Sequence, residues 1–309
     1  MAYRKDEYLQ RLIEESVALT RKGKVADYIP ALARASRNEI SAALYYPDGS
    51  GHCAGEAENK FSLQSISKVL MLALVLMEEG EDVVFSKVGM EPTGDPFNSI
   101  IKLEKTTHAK PFNPMINAGA LAVTSLLRGE SVDERINKFL RFVKALTGDE
   151  SIDYNKEIAD SEFKTSHLNR SLCYYMKQYG VINEDVEELM DLYTKQCAVE
   201  VNVRQLAKIG CIFAFDGYDT DKEVQVIPVE YARLCNTFMV TCGMYDASGE
   251  FAIRVGFPAK SGVSGAIMGV VPRKFGLGVY SPALDEKGNS IAGLHILENL
   301  SKKYSLSIF

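Results

Sequence analysis

The apolar run VLMLALVLM at 69–77 follows directly on a polar cluster, QSISK at 64–68. A surface helix alternates its faces, and a buried helix rarely begins with a lysine. The run predicts a buried helix that stops near Gly80, a natural C-terminal cap. The polar cluster at its start has to be explained by something other than packing.

Elsewhere the periodicity is easier to read. The N-terminal MAYRKDEYLQRLIEESVALTRKGK is an amphipathic helix pattern. ISAALYY at 40–46 reads as a strand, PDGSG at 47–51 as a turn, and HCAGEA at 52–57 as the returning strand. The segments SLCYYMKQYG (171–180), VEELMDLYTKQC (186–197), VRQLAKIGCIFAF (203–215) and VEYARLCNTFMV (229–240) carry apolar residues three or four apart and predict helices. In KPFNPMINAGA, asparagine turns around Pro114 open another helix. After Tyr245, FAIRVGF (251–257), AIMGVVP (266–272) and FGLGVYSP (275–282) read as antiparallel strands, and SIAGLHILENLSKKY closes the chain as a helix. The economical architecture is an α/β fold: an antiparallel sheet built from both termini (1–66 and 243–309), flanked by helices. A mainly helical domain (67–242) is inserted between them, with the active site between the two.

Composition narrows the functions. The chain has 309 residues, is 46% hydrophobic and 25% charged, and carries a net charge of −6. It has no basic stripe, which argues against nucleic acid and anionic membrane as partners. The longest apolar run falls far short of the roughly 20 residues that span a bilayer. The N-terminus lacks the apolar centre of a secretory signal, and the six cysteines are scattered without a C-x-x-C pair. Both features suggest free thiols in a reducing cytoplasm. The four histidines stand far apart, so no metal site is expected.

The polar cluster is where chemistry enters. Residues three apart on a helix share a face, so Ser65 and Lys68 meet while Ser67 and Lys68 diverge. A serine hydroxyl needs a base to become a nucleophile, and a lysine serves as that base once burial lowers its pKa. The helix N-terminus adds N–H donors suited to an oxyanion. S-x-x-K alone is weak, because serine is a favoured helix cap and the spacing recurs at Ser99/Lys102 and Ser161/Lys164. Only the copy at Ser65 opens a wholly apolar helix. K-S-G occurs once, at Lys260-Ser261-Gly262, among the strand-like segments. S-x-x-K on a helix with a later K-[ST]-G strand is the serine–lysine signature of β-lactamases and penicillin-binding proteins. The S-D-N or Y-x-N element between them is missing, which argues against a β-lactam or peptidoglycan substrate. The residues themselves leave a serine amidase or esterase of open substrate.

The chain resembles the serine-dependent glutaminases of bacteria and animal mitochondria. The resemblance rests on DYIPALA (27–33), LQSISK (63–68), FNPMINAGA (112–120), SEFKTSHLN (161–169), DLYTKQC (191–197), CGMYDASGEFA (242–252), PAKSGVSGAI (258–267) and SPALDEKGNS (281–290). It implies a β-lactamase-like fold and hydrolysis of the side-chain amide of L-glutamine to glutamate and ammonia, with no cofactor. Carried over by motif, Ser65 is the nucleophile and Lys68 its base. Tyr28 and Tyr245 lie by the hydroxyl and relay protons or position the substrate. Asn117, Glu162, Asn169 and Tyr193 line the pocket, and the N–H groups of Ser65 and Val263 form the oxyanion hole. Glu162 suits the substrate ammonium, and amide and phenol donors suit its carboxylate. On local grounds alone Tyr28 and Tyr193 would be core tyrosines, Glu162 a solvated helix charge and Asn117 a helix-start residue. The resemblance also implies a homo-oligomer, dimeric or tetrameric. It departs from the larger animal members in having no long N-terminal extension and no C-terminal ankyrin-like array. A penicillin-interacting acylase and a non-catalytic glutamine binder are the competing readings. With lysine as base, activity is expected to rise toward alkaline pH.

Overall fold

The structure, a computed structural model, describes residues 3–93 and 109–309. The Ser99/Lys102 pair and His108 lie outside the described residues.

Helix α1 (Tyr3–Ser16) buries Leu9, Leu12 and Ile13. A 3-10 turn, Val17–Lys22, follows it. Strands β1 (Ser41–Tyr45) and β2 (Gly51–Gly55) form the expected hairpin. The short β3 (Phe61–Ser62) leads into α2 (Ser67–Lys87). Residues 69–76 of α2 are all buried in the largest hydrophobic cluster. Where a stop was expected, Gly80 takes φ 78° and ψ 170°, and the helix continues beyond this break to Lys87.

The middle of the chain is helical, and most of the helices announce their starts. In front of α3 (Asn117–Thr124), Asn113 Oδ1 accepts the N–H groups of Met115 at 3.0 Å and Ile116 at 3.2 Å. Ser131 caps α4 (Val132–Thr147), Asn155 caps α5 (Lys156–Thr165), and α6 spans His167–Gln178. Asp185 caps α7 (Val186–Cys197) through two N–H groups, and β4 (Glu200–Val201) pairs with β3. Asn202 and Gln205 form a capping box on α8 (Val203–Ala214). A small hairpin, β5 (Tyr218–Asp219) and β6 (Val224–Gln225), precedes α9 (Val229–Cys242).

Next comes α10 (Ser248–Arg254), and here FAIRVGF departs from its expected strand. Phe251, Ile253, Val255 and Phe257 alternate as a strand would. Yet Phe251 and Val255, one helical turn apart, are buried, while Ile253 is 88% exposed. Glu250 and Arg254 also pair at the helical i, i+4 spacing. The helix period governs this segment. The first C-terminal strand is instead β7 (Ala259–Ser261), followed by β8 (Ala266–Val271), β9 (Phe275–Tyr280) and α11 (Ile291–Tyr304).

The five long-range strands form one antiparallel sheet in the order β2-β1-β9-β8-β7, so the two ends of the chain meet at the β1–β9 ladder. Helices α1 and α11 cover one face, in a cluster with Leu297 and Val279. Helix α8 lies flat on the other, although it belongs in sequence to the helical stretch. Its approach depends on Gly276, where a Cβ would sit 2.0 Å from the Ala207 carbonyl oxygen. The described cysteines are all free thiols.

Candidate active site

Ser65 occupies a 3-10 turn, Gln64–Ile66, between β3 and α2. The Leu63 N–H donates to the Val199 carbonyl at 2.8 Å and ties the turn to the chain entering β4. Gln64, just before the serine, has φ 47°. A non-glycine residue in this left-handed region costs on the order of 1–3 kcal/mol, and such strain concentrates at functional sites. Lys68 sits one turn further along and is 2% exposed. Its Nζ donates to Asn117 Oδ1 at 2.6 Å and to the Met115 carbonyl at 3.3 Å. Asn117 Nδ2 in turn donates to Asn169 Oδ1 at 3.0 Å. Burial lowers the Lys68 pKa to about 8, against the smaller opposing pull of Cys197 and Glu162.

Tyr245 approaches from the other side, in a 3-10 turn with φ 54°. Burial raises the pKa of its phenol and the neighbouring Ser65 hydroxyl lowers it less, so it stays protonated at neutral pH. The K-S-G strand stands beside the Ser65 turn. A Cβ on Gly262 would lie 2.7 Å from the Leu63 carbonyl oxygen and 3.5 Å from Gln64 Cβ. Lys260 is fully buried, with its Nζ 4.5 Å from the centre of the Tyr245 ring and donating to the Ser261 carbonyl at 2.6 Å. Burial first and the Lys68 charge second push its pKa well below the usual lysine range.

Apart from Lys68 and Tyr245, every residue singled out by motif lines one cavity of about 100 Å³: Tyr28, Ser65, Asn117, Glu162, Asn169, Tyr193 and Val263. Lys68 reaches this cavity through Asn117, and Tyr245 through Ser65. Glu162 is 7% exposed, and burial raises its pKa to about 7, with Gln64 and Lys68 pulling the other way. Tyr193 is buried, and burial first, with Cys197 and Glu162 adding to it, raises its pKa. Tyr28 is 54% exposed, yet its phenol is enclosed: burial raises its pKa most, followed by Tyr245 and Glu162. Tyr28 thus forms the rim of the cavity. Gln64 and Cys197 also line it, and sequence reading did not single them out. Gln64 adjoins the nucleophile and Cys197 lies one turn from Tyr193, so both were within the quoted motifs. A larger cavity of about 490 Å³ beside α10 and α11 contains none of these residues.

A buried serine–lysine turn flanked by a K-S-G strand, on an antiparallel sheet covered by helices, defines the β-lactamase-like class. Comparison with known proteins narrows this. A family model described as "Glutaminase" matches residues 23–309. Among curated proteins, the chain is 62% identical over 309 residues to a glutaminase of Shouchella clausii, covering 100% of each chain. It is 59% identical to Glutaminase 2 of Bacillus subtilis, again with 100% coverage of both. A solved structure of a Bacillus subtilis glutaminase in covalent complex with 5-oxo-L-norleucine, formed by reaction with 6-diazo-5-oxo-L-norleucine, superimposes with a TM-score of 0.91. The identity to it is 39%, covering 99% of this chain and 100% of that one. The chain belongs to the glutaminase family.

Proposed function

We propose that this glutaminase hydrolyses the side-chain amide of L-glutamine to L-glutamate and ammonia through an acyl-enzyme on Ser65, with Lys68 as base. The observation that carries the reading is the burial of Lys68 one turn from Ser65, which leaves about one-tenth of its amine unprotonated at pH 7. That amine accepts the Ser65 proton as the hydroxyl oxygen attacks the amide carbon. The N–H groups of Ser65 and Val263 hold the developing oxyanion. Collapse of the intermediate breaks the C–N bond, and the leaving nitrogen takes a proton from the Lys68 ammonium or through a phenol of Tyr245 or Tyr28. Water then attacks the ester, with Lys68 again as base. Glu162 pairs with the substrate ammonium, while Asn117, Asn169 and Tyr193 hold the carboxylate. Analogues lacking either group leave buried partners unpaired.

Several coarser features belong to the same reading. The site lies between a sheet unit (1–66 and 243–309) and a helical unit (67–242), with α8 reaching across onto the sheet. Assembly as a dimer or tetramer is supported by the family resemblance and by exposed Leu168, Tyr174 and Tyr179 on and just beyond α6. The six free cysteines support a cytoplasmic location. Light scattering tests the assembly.

Two assays test the chemistry. The purified protein should release ammonia and glutamate from glutamine, and Ser65→Ala should abolish this. After treatment with 6-diazo-5-oxo-L-norleucine, peptide mapping should find the adduct on Ser65. Retained turnover in the variant, or an adduct elsewhere, overturns the assignment.

A further inference from the structure

The nucleophile turn is anchored from behind by a chain of buried polar side chains that the reaction itself does not use. Ser67, the first residue of α2, points away from Lys68, and its Oγ donates to the Gln64 carbonyl at 2.7 Å. The same carbonyl also accepts the Ser67 backbone N–H. Serine at a helix start often bonds a nearby carbonyl, and by itself that contact is local. What distinguishes this one is its continuation. Gln196 Nε2, on α7, donates to Ser67 Oγ at 3.2 Å, and Thr124 Oγ1, on α3, donates to Gln196 Oε1 at 3.0 Å. Ser67 and Gln196 are fully buried, and Thr124 has no exposed surface either. The chain goes on to Arg135, whose Nη2 donates to the Thr124 carbonyl at 3.3 Å and whose guanidinium pairs with Glu184.

The peptide that this chain grips belongs to Gln64, the residue with φ 47°, immediately before Ser65. A residue in this region relaxes unless its surroundings fix it. Relaxation there would swing the Ser65 hydroxyl away from both Lys68 and the pocket, and misplacement by about 1 Å costs on the order of 10²-fold in rate. Helix α7 also supplies Tyr193 and Cys197 to the cavity wall, so one helix sets both the pocket and the nucleophile behind it.

We propose that Ser67, Gln196 and Thr124 are positioning residues: as one buried relay from α3 through α7, they hold the strained Gln64 peptide and so aim the Ser65 hydroxyl. The proposal rests on Ser65 being the nucleophile. Turnover in Ser65→Ala would remove that foundation, whereas an inactive Ser65→Ala with unaffected relay variants would overturn the relay alone.

The test uses Ser67→Ala, Gln196→Met and Thr124→Val in the full-length protein. Each is measured for kcat and KM with glutamine, glutamate affinity by calorimetry, and Tm. Expected losses in kcat are about 10- to 100-fold for Ser67→Ala, smaller for Gln196→Met and smallest for Thr124→Val, following distance from Ser65. KM and glutamate affinity should stay within about twofold, because none of the three substituted side chains lines the cavity; the Ser67 hydroxyl meets its wall only through the Cys197 thiol, at 3.9 Å. Ser67→Ala combined with Gln196→Met should lose little more than Ser67→Ala alone, since both act on one carbonyl. Near-wild-type kcat in Ser67→Ala and Gln196→Met overturns the proposal. So do losses that track glutamate affinity or folded fraction, or three variants that all fail to fold, because the relay would then be only core structure.

Discussion

Two S-x-x-K steps lie on described helical turns, and they have opposite fates. Ser65 and Lys68 lie at the mouth of α2, both buried, with the lysine amine among Asn117, the Met115 carbonyl and, further off, Glu162. Ser161 and Lys164 lie on α5, and they share a face just as the first pair does. That face looks outward: Lys164 is exposed, and Ser161 Oγ accepts the Ala31 N–H at 3.2 Å as a loop tie. The inward face of the same helix carries Glu162 and Thr165 to the cavity. The spacing brings two side chains together, but burial decides whether the meeting has chemical consequences. A solvated lysine stays protonated at neutral pH, whereas Lys68 can give up its proton.

Substitutions at the two steps should separate them sharply. Ser65→Ala should cut kcat by about 10⁴- to 10⁶-fold in an ammonia-release assay, the loss seen when a serine nucleophile is removed. Lys68→Met should cost about 10²- to 10⁴-fold, the range for a general base. Within the site, pH sharpens the distinction further. On the proposed mechanism Glu162 works as a carboxylate, which regains its proton below about pH 7, and Lys68 as a free amine, which is protonated below about 8. Both changes oppose catalysis in acid. Log kcat/KM should therefore rise with a slope near two below pH 7 and near one from 7 to 8, then level off. A profile flat from pH 6 to 9 would contradict both assignments.

Lys260 provides a finer test. Burial first and the Lys68 charge second favour its neutral form. Lys260→Met should therefore leave the upper midpoint within about 0.3 units, whereas a charged Lys260 would have been depressing Lys68, and its loss would raise that midpoint. At the outer step, Lys164→Met should leave kcat and KM within experimental error, and Ser161→Ala should cost about 1 kcal/mol or less of stability by denaturant unfolding.

The same contrast explains how much could be read from the chain. Helix periods and caps were visible wherever a single apolar stripe faces the core, as in the capped segments at 186–197 and 203–214. FAIRVGF misled because Ile253 completes an alternating pattern while pointing into solvent, a choice made by tertiary packing. The Ser65–Lys68 pair was legible because its spacing is local and the apolar run beside it is unusual. Gln64, Cys197 and the lowered pKa of Lys260 were not, since each depends on elements far away in sequence: α5 for Gln64, Ser67 at the start of α2 for Cys197, and burial with Lys68 and Tyr245 for Lys260.

The ladder between β1 and β9 sets an order of assembly. As the chain leaves the ribosome, the Ser65 segment emerges early, while the edge of β1 that pairs with β9 is still bare. That edge is covered, and the Lys260–Gly262 wall raised beside the serine, only once the last fifth of the polypeptide has emerged. A nascent or truncated chain thus holds Ser65 without the K-S-G strand beside it, and on the proposed mechanism it should be inactive until the closing strands are in place.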